Sequence, residues 1–258
     1  MYRAPPRTVE VWRVISWPPY AKRSHSDCPQ TNVETAKMSW IPYASVVGSL
    51  MYAMVATRPD LAHAVGVVSK YMSNSSKRHW DAVRGILRYL RGTSELSLCY
   101  GEQNMSVHGY ADSDYAGSIG SRKSTSGYVF IVAGGPISWE SHLQPCIALS
   151  TIEAEYMDAI EATKEALWLS RLVGDLDMVG DAPMLHCDSQ SAIALARNHV
   201  FHAKTKHIEV RYHFIREVIE DKRIQLVKIH TDDNPVDLLS KSLASQRFAQ
   251  CRSLMGMA

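Results

Sequence analysis

The chain has 258 residues, with 28 Lys and Arg against 26 Asp and Glu, so its formal net charge is +2 when histidine is neutral. A hydrophobic fraction of 46% and a charged fraction of 21% are ordinary for a globular protein and exclude wholesale disorder. The near-zero net charge argues against a histone-like binder that is basic throughout. Five scattered cysteines without a Cys-x-x-Cys pair argue against a disulfide framework or a zinc site and indicate an intracellular protein, cytoplasmic or nuclear rather than secreted.

The N-terminal third of the chain predicts an irregular arm followed by helices. Residues 1–41 contain five of the eleven prolines, and proline fixes φ and donates no backbone hydrogen bond. In residues 42–94, Val47, Leu50 and Met54 recur at helical spacing and predict a small helical subdomain. No apolar run reaches the roughly 20 residues that a membrane span needs, so no membrane partner is expected.

Residues 95–245 alternate between strand and helix patterns. The predicted elements, in chain order, are strands at 106–115, 124–133 and 137–139 with 146–149, a helix at 151–172, a strand at 184–188, helices at 189–197 and 206–221, a strand at 224–229 and a helix from Asn234. This order predicts an α/β fold with a mixed five-stranded sheet flanked by helices. Residues 246–258 are predicted only as a C-terminal tail.

Carboxylates stand at the places in this order where a mixed sheet can bring side chains together. They are Asp112 and Asp114 in the first strand, Glu153 and Glu155 in the first turn of the long helix, Asp188 after the fourth strand, and Asp237 in the last helix. Ligands of open α/β sheets bind beyond the carboxyl ends of strands, and Mg²⁺ prefers carboxylate oxygens. Taken singly, each carboxylate is equally typical of a helix cap or a solvated side chain, and helical spacing does not choose between the two glutamates.

Several longer motifs resemble a known family. They are Tyr110-Ala-Asp-Ser-Asp114, Arg122-Lys-Ser-Thr-Ser-Gly-Tyr-Val-Phe130, Ala148-Leu-Ser-Thr-Ile-Glu-Ala-Glu-Tyr-Met157, Cys187-Asp-Ser-Gln-Ser-Ala192 and Asp237-Leu-Leu-Ser-Lys241. In this order the motifs resemble the ribonuclease H domain of copia-type LTR retrotransposon Pol polyproteins. The helical segment at 42–94 resembles the part of those polyproteins that joins the reverse transcriptase to that domain.

This resemblance implies a ribonuclease H-like fold and two-metal hydrolysis of the RNA strand of RNA/DNA hybrids. It implies two Mg²⁺ ions, for which Mn²⁺ can substitute, and it implies the polymerase part of the same polyprotein as a further partner. Carried over by position, the catalytic and metal-binding carboxylates are Asp112, Glu155, Asp188 and Asp237. His230 matches a mobile histidine that assists turnover in related enzymes, and an ordinary loop histidine fits that position equally well.

Two features limit the function that the resemblance implies. No Tyr-x-Asp-Asp polymerase motif is present, so polymerase activity is not expected of this fragment. An integrase or transposase would carry its catalytic glutamate last in sequence, whereas here Asp237 comes last. The missing motif and the proline-rich start leave one alternative, a catalytically silent retroelement remnant that acts at most as a nucleic-acid-binding module.

A basic segment is the candidate nucleic-acid-binding region. Between residues 197 and 216 a single acid, Glu209, accompanies five basic residues, which are Arg197, Lys204, Lys206, Arg211 and Arg216. Lysine and arginine side chains that neutralise phosphates give affinity that is independent of sequence and sensitive to salt. A solvated helix face explains the same charges equally well.

Overall fold

The computed structural model describes residues 27–101, 105–118, 120–176, 181–197 and 209–258, and of residues 209–212 the backbone alone. Its helices are α1 Asn32–Met38, α2 Tyr43–Ala56, α3 Ala62–Ser69, α4 Lys77–Gly92, α5 Thr151–Asp175, α6 Gln190–Arg197, α7 Glu209–Glu220, α8 Asp237–Ser240 and α9 Ser245–Leu254. Within the described ranges no single helix has the length and apolar composition of a membrane span, whereas α1 and α2, bent by 53°, meet those criteria only as a pair.

The centre of the fold is one five-stranded sheet. Its strands are β1 His108–Asp114, β2 Thr125–Val132, β3 Gly135–Leu143, β4 Met184–Cys187 and β5 Gln225–Lys228. They lie in the order β3-β2-β1-β4-β5. The strand β2 pairs antiparallel with both β1 and β3, whereas β4 pairs parallel with both β1 and β5. The predicted mixed five-stranded sheet flanked by helices is therefore confirmed.

The third strand differs from its prediction. It runs without a break from Gly135 to Leu143, and residues 146–149 lie outside it. Pro145 follows two residues after the strand, and proline has no N–H to donate to a ladder, so pairing ends before it.

One face of the sheet is covered by α5, α6 and α7. Ser150 caps α5, with its hydroxyl accepting a hydrogen bond from the Glu153 N–H at 3.2 Å. Buried side chains of the helix, such as Tyr156 and Ile160, pack with Phe130 of β2 into the core of this face. This packing holds the first turns of α5 beside β1.

The opposite face is covered by α2, α3 and α4 together with α8 and α9. Leu50 of α2 shares a core with Val129 of β2, Leu239 of α8 and Phe248 of α9. The indole N–H of Trp139 also donates to the Met54 carbonyl, at 3.0 Å. The predicted helical region therefore precedes the sheet, and its helices pack against one face of that sheet, which provides part of their core.

The chain ends contain two helices that the sequence reading missed. Residues 32–38 lie in the predicted irregular arm but form α1, whose N-terminus is capped by the Thr31 hydroxyl. The predicted tail of 246–258 is largely the helix α9, in which Phe248 and Cys251 are buried, and the residue that caps its C-terminus, Met255, is buried as well. Their spacing of three and four residues places them on one helical face, which explains why the segment packs instead of extending into solvent.

Candidate active site

Two predicted carboxylates, Asp112 and Asp237, meet beside β1, the central strand of the sheet. Both are buried, with 2% and 4% of their surface exposed. The Lys241 ammonium nitrogen lies between them, 2.7 Å from Asp237 Oδ1 and 3.4 Å from Asp112 Oδ2. The Ser240 hydroxyl donates to the same Asp112 oxygen. The short helix α8 thus brings one carboxylate and two donors to the strand.

The position of α8 is set by contacts between its N-terminal loop and the sheet. Buried Asn234 donates from Nδ2 to the Ala111 carbonyl at 3.1 Å, and its Oδ1 accepts from the Val236 N–H at 3.2 Å. Gly127 pairs with Asp112 across β2 and β1. A Cβ on this glycine would lie 2.8 Å from the Leu239 Cβ, so α8 approaches the sheet closely only because that side chain is absent.

Arg247 of α9 holds Asp237 from the other side. Its Nη2 and Nε donate to Asp237 Oδ2 at 2.9 and 3.2 Å. The same guanidinium donates to the carbonyls of Thr231, at 2.6 Å, Asn234, at 3.0 Å, and Asp232. One oxygen of Asp237 is therefore bound by Arg247 and the other faces Lys241. Arg247 lies beyond the predicted domain boundary, and no sequence signal pointed to it.

The other two predicted carboxylates form a second group. Ligand atoms of Glu155, Cys187 and Asp188 all lie within 4.8 Å of one another. Asp188 is fixed by the Thr231 hydroxyl, which donates to its Oδ2 at 2.9 Å, and by Lys228, which donates to its carbonyl. Glu155 Oε2 is buried and has no hydrogen-bond partner within the described parts of the chain. An unpartnered buried carboxylate oxygen next to a second carboxylate is suited to binding a cation.

The two groups belong to one negatively charged site. Burial, followed by the charges of Asp112 and Asp188, raises the pKa of Glu155 to about 9. Burial also raises the pKa of Asp112. The charges of Asp237 and Asp188 raise this pKa further, whereas Lys241 and the Ser240 hydroxyl lower it. The pKa of Lys241 is lowered by burial but raised on balance by Asp112 and Asp237. Asp112 thus interacts with all three other predicted carboxylates.

Comparison with known proteins shows the family of the chain. No family model matches the sequence. The chain is 51% identical over 238 residues to the retrovirus-related Pol polyprotein from transposon TNT 1-94 of Nicotiana tabacum, an alignment that covers 92% of this chain. The chain belongs to the Pol polyproteins of copia-type transposons. The corresponding polyprotein from transposon RE2 of Arabidopsis thaliana is 36% identical over 217 residues, or 83% of this chain.

This Pol chain is much shorter than those relatives. It spans 18% of the tobacco polyprotein and 15% of the Arabidopsis one. Among solved structures, LC11-RNase H1 in complex with an RNA/DNA hybrid has a TM-score of 0.39 and 19% identity, covering 55% of this chain and 98% of that one.

The structure separates the two glutamates that helical spacing left equivalent. Glu153 lies in the N-terminal cap of α5, where its Oε2 accepts from the Leu149 N–H at 2.7 Å. Glu155 lies two residues further on and points into the carboxylate site. The Pol resemblance selected the glutamate that the structure places there.

His230 lies at the surface beside the site. Its side chain is 74% exposed, and its Nδ1 accepts from the Asp232 N–H at 3.2 Å, which caps the turn Thr231–Asp233. The turn also supplies Thr231 to Asp188, so His230 neighbours the site without being buried in it.

The predicted phosphate-binding residues have different positions. Arg197 is exposed and donates to the Leu226 carbonyl at 2.6 Å. The prediction that Arg216 binds phosphate is wrong, because only 7% of the residue is exposed and its guanidinium donates inward to the Leu195 carbonyl at 3.2 Å. Its side chain is buried within the helical layer, so its guanidinium does not face solvent, where it could contact a phosphate. Lys204 and Lys206 lie outside the described residues, as does the side chain of Arg211.

Proposed function

We propose that this Pol segment hydrolyses the RNA strand of RNA/DNA hybrids with two bound Mg²⁺ ions, for which Mn²⁺ can substitute. The observation that supports this proposal is the convergence of Asp112, Glu155, Asp188 and Asp237 beside the two neighbouring interior strands β1 and β4. These carboxylates come from four separate parts of the fold, yet the charges of Asp188 and Asp237 raise the pKa of Asp112, and the charge of Asp112 raises the pKa of Glu155. In a Pol relative, such a convergence favours a metal-dependent nuclease over a binding module.

The residues present fit a pair of hard cations. The four carboxylates offer oxygen ligands, which Mg²⁺ prefers, and the buried Oε2 of Glu155 has no partner within the described residues. Asp112, Glu155, Asp188 and Asp237 would together hold the ions.

The chain's own groups would prepare the site for this chemistry. When bound, paired Mg²⁺ ions activate an attacking water and stabilise the leaving oxygen of a phosphodiester. Arg247 and Asn234 hold the α8 carboxylate against β1, so the ligands do not have to be assembled by the ion. Because its pKa is raised, Glu155 carries a proton near neutral pH and would release it when a cation binds.

The substrate would be held by basic groups outside the carboxylate site. Of the predicted contacts, Lys204, Lys206, Arg211 and the exposed Arg197 remain candidates for binding phosphates of the hybrid. Contacts of this kind read the backbone and the shape of the groove rather than base sequence. The polymerase part of a longer polyprotein is the proposed source of additional hybrid contacts.

The experiment is cleavage of a hybrid whose RNA strand is end-labelled, with and without Mg²⁺. We expect cleavage of the RNA strand with Mg²⁺, no cleavage in EDTA, and no cleavage of matched RNA/RNA or DNA/DNA duplexes. Circular dichroism of the same preparation establishes that the protein is folded. A folded preparation that binds the hybrid but leaves it intact with Mg²⁺ and with Mn²⁺ would refute the proposal and favour the catalytically silent remnant.

A further inference from the structure

We infer that Lys241 is a built-in cation of this site, which competes with one divalent ion for the carboxylates of Asp112 and Asp237. The inference rests on the proposed function, because it concerns the ion that those two residues would share. It adds to that function a determinant of metal affinity that lies in the chain itself.

The first support is the position of the ammonium group. Lys241 Nζ is within 2.7 Å of Asp237 Oδ1 and 3.4 Å of Asp112 Oδ2. Arg247 already binds the other oxygen of Asp237, so Oδ1 is the oxygen that this residue has left for a metal ion. The oxygen that would bind the ion is thus the one that binds the lysine.

The second support is the mobility of lysine relative to the fixed groups around it. The backbone N–H of Lys241 donates to the Asp237 carbonyl at 3.1 Å, which fixes the start of the side chain at the end of α8. The side chain itself is 35% exposed, whereas those of Asp112 and Asp237 are 3% and 6% exposed. A flexible four-carbon stem with a path to solvent can move its ammonium group aside when an ion binds.

The charges of Asp112, Asp237 and Lys241 explain why a lysine occupies this position in the metal-free protein. Two buried carboxylates that face each other repel and need a positive charge between them. Lys241 supplies that charge and keeps the pair assembled, at the cost that an incoming ion must displace it. Removing the ammonium group should therefore strengthen ion binding and weaken the metal-free fold.

The test measures Mn²⁺ binding to the full chain without nucleic acid, by the decrease of the electron paramagnetic resonance signal of free Mn²⁺. Lys241→Met keeps the apolar stem and removes the charge, and Lys241→Arg keeps the charge. Lys164→Met is the matched control, because Lys164 pairs with Glu161 at 2.9 Å on the exposed side of α5. Asp112→Asn identifies the ions that bind at this site.

Asp112→Asn should lose the ion that binds at this site, and Lys241→Met should bind that ion about tenfold more tightly than the wild type. The factor of about ten is the change expected when the ion no longer has to displace one charged hydrogen-bond donor. Lys241→Arg and Lys164→Met should stay near the wild-type affinity. In EDTA, Lys241→Met should melt below the wild type, and saturating Mn²⁺ should narrow that difference. A role in packing alone would lower the melting temperature equally with and without Mn²⁺.

Unchanged or weaker Mn²⁺ binding in Lys241→Met would overturn the inference, as would an absence of binding in both proteins. A higher KM for the hybrid with unchanged Mn²⁺ affinity would also overturn it, because Lys241 would then be a phosphate contact. Failure of the proposed function is a separate result: the wild type would not cleave the hybrid, while the tighter Mn²⁺ binding of Lys241→Met would still be seen.

Discussion

Replacing Arg247 by methionine tests whether α9 is part of the active site rather than a tail. The guanidinium forms two hydrogen bonds with Asp237 Oδ2, at 2.9 and 3.2 Å, and bonds to carbonyls of the loop before α8. Only 18% of the Arg247 side chain and 6% of the Asp237 side chain are exposed. Methionine keeps most of the apolar stem but leaves the carboxylate without this partner.

The magnitude follows from the burial of this pair. Removing one partner of a buried ion pair costs about 3–5 kcal/mol of unfolding free energy. Lys241 stays 2.7 Å from the same carboxylate and offsets part of its charge, so we expect the lower end, about 3 kcal/mol. In a domain of this size that corresponds to a fall of roughly 6–12 °C in Tm.

The assay is urea unfolding followed by circular dichroism, with Arg84→Met as the control. Arg84 and Asp81 form an ion pair on α4 at 3.7 Å, with side chains 54% and 50% exposed. An exposed pair of this kind contributes at most about 1 kcal/mol, so the control should unfold almost like the wild type. A loss below about 1 kcal/mol in Arg247→Met, equal to that of the control, would refute the assignment of α9 to the site.

Three further predictions concern pH, packing and salt. The folded pKa of Glu155 is about 9 against an ordinary value of 4.5, so the stability of the fold decreases as the pH rises between these values. In EDTA, Glu155→Gln should therefore raise Tm at pH 8 but not at pH 4. An equal effect at both pH values would contradict this prediction. Gly127→Ala should lower the free energy of unfolding by about 1–3 kcal/mol in chemical denaturation, because the added Cβ would contact α8. Gly48→Ala should raise the free energy of unfolding by about 0.5–1 kcal/mol, because Gly48 lies on α2 with open space around it. Lys206→Ala should reduce the slope of log affinity against log salt for hybrid binding by about 1, and Arg216→Ala should leave it unchanged; the reverse order would contradict the placement of Arg216.

Local patterns were sufficient to predict the sheet and most of its helices. The strands β1 and β2 carry β-rich runs with a glycine turn between them, and the long apolar arc of α5 marks a helix that packs on a sheet. The short α8 was foreseen only as the start of a longer helix from Asn234. Its length is set by the sheet, because Leu239 and Ser240 pack and bond against β1 and β2.

The candidate site was only partly visible in the sequence. Composition and spacing indicated acidic residues near strand ends, but only the family motifs chose Glu155 over Glu153. Lys241 follows Asp237 by four residues and so had a detectable signal, since helical neighbours at this spacing meet. Arg247 had none, because its contact with Asp237 depends on how α9 folds back against the loop at residues 231–234.

The burial of one local charge pair was equally hidden. Arg58 and Asp60 are both buried, at 6% and 1% exposure, and form a 2.7 Å ion pair that also includes the Tyr89 hydroxyl and Thr93. From sequence an Arg-Pro-Asp run is typical of an exposed turn. The partners on α4 that allow this burial lie about thirty residues away, and no local pattern connects them.

The main proposal is that four carboxylates bind the metal ions of an RNA/DNA-hybrid nuclease. Its most direct test is single-turnover cleavage of a labelled hybrid at saturating Mg²⁺ by Asp188→Asn, compared with the wild type and with Asp221→Asn, which alters an exposed acid after α7. We predict that Asp188→Asn loses cleavage but still binds the hybrid, while Asp221→Asn cleaves like the wild type. Undiminished cleavage by folded Asp188→Asn would contradict the account.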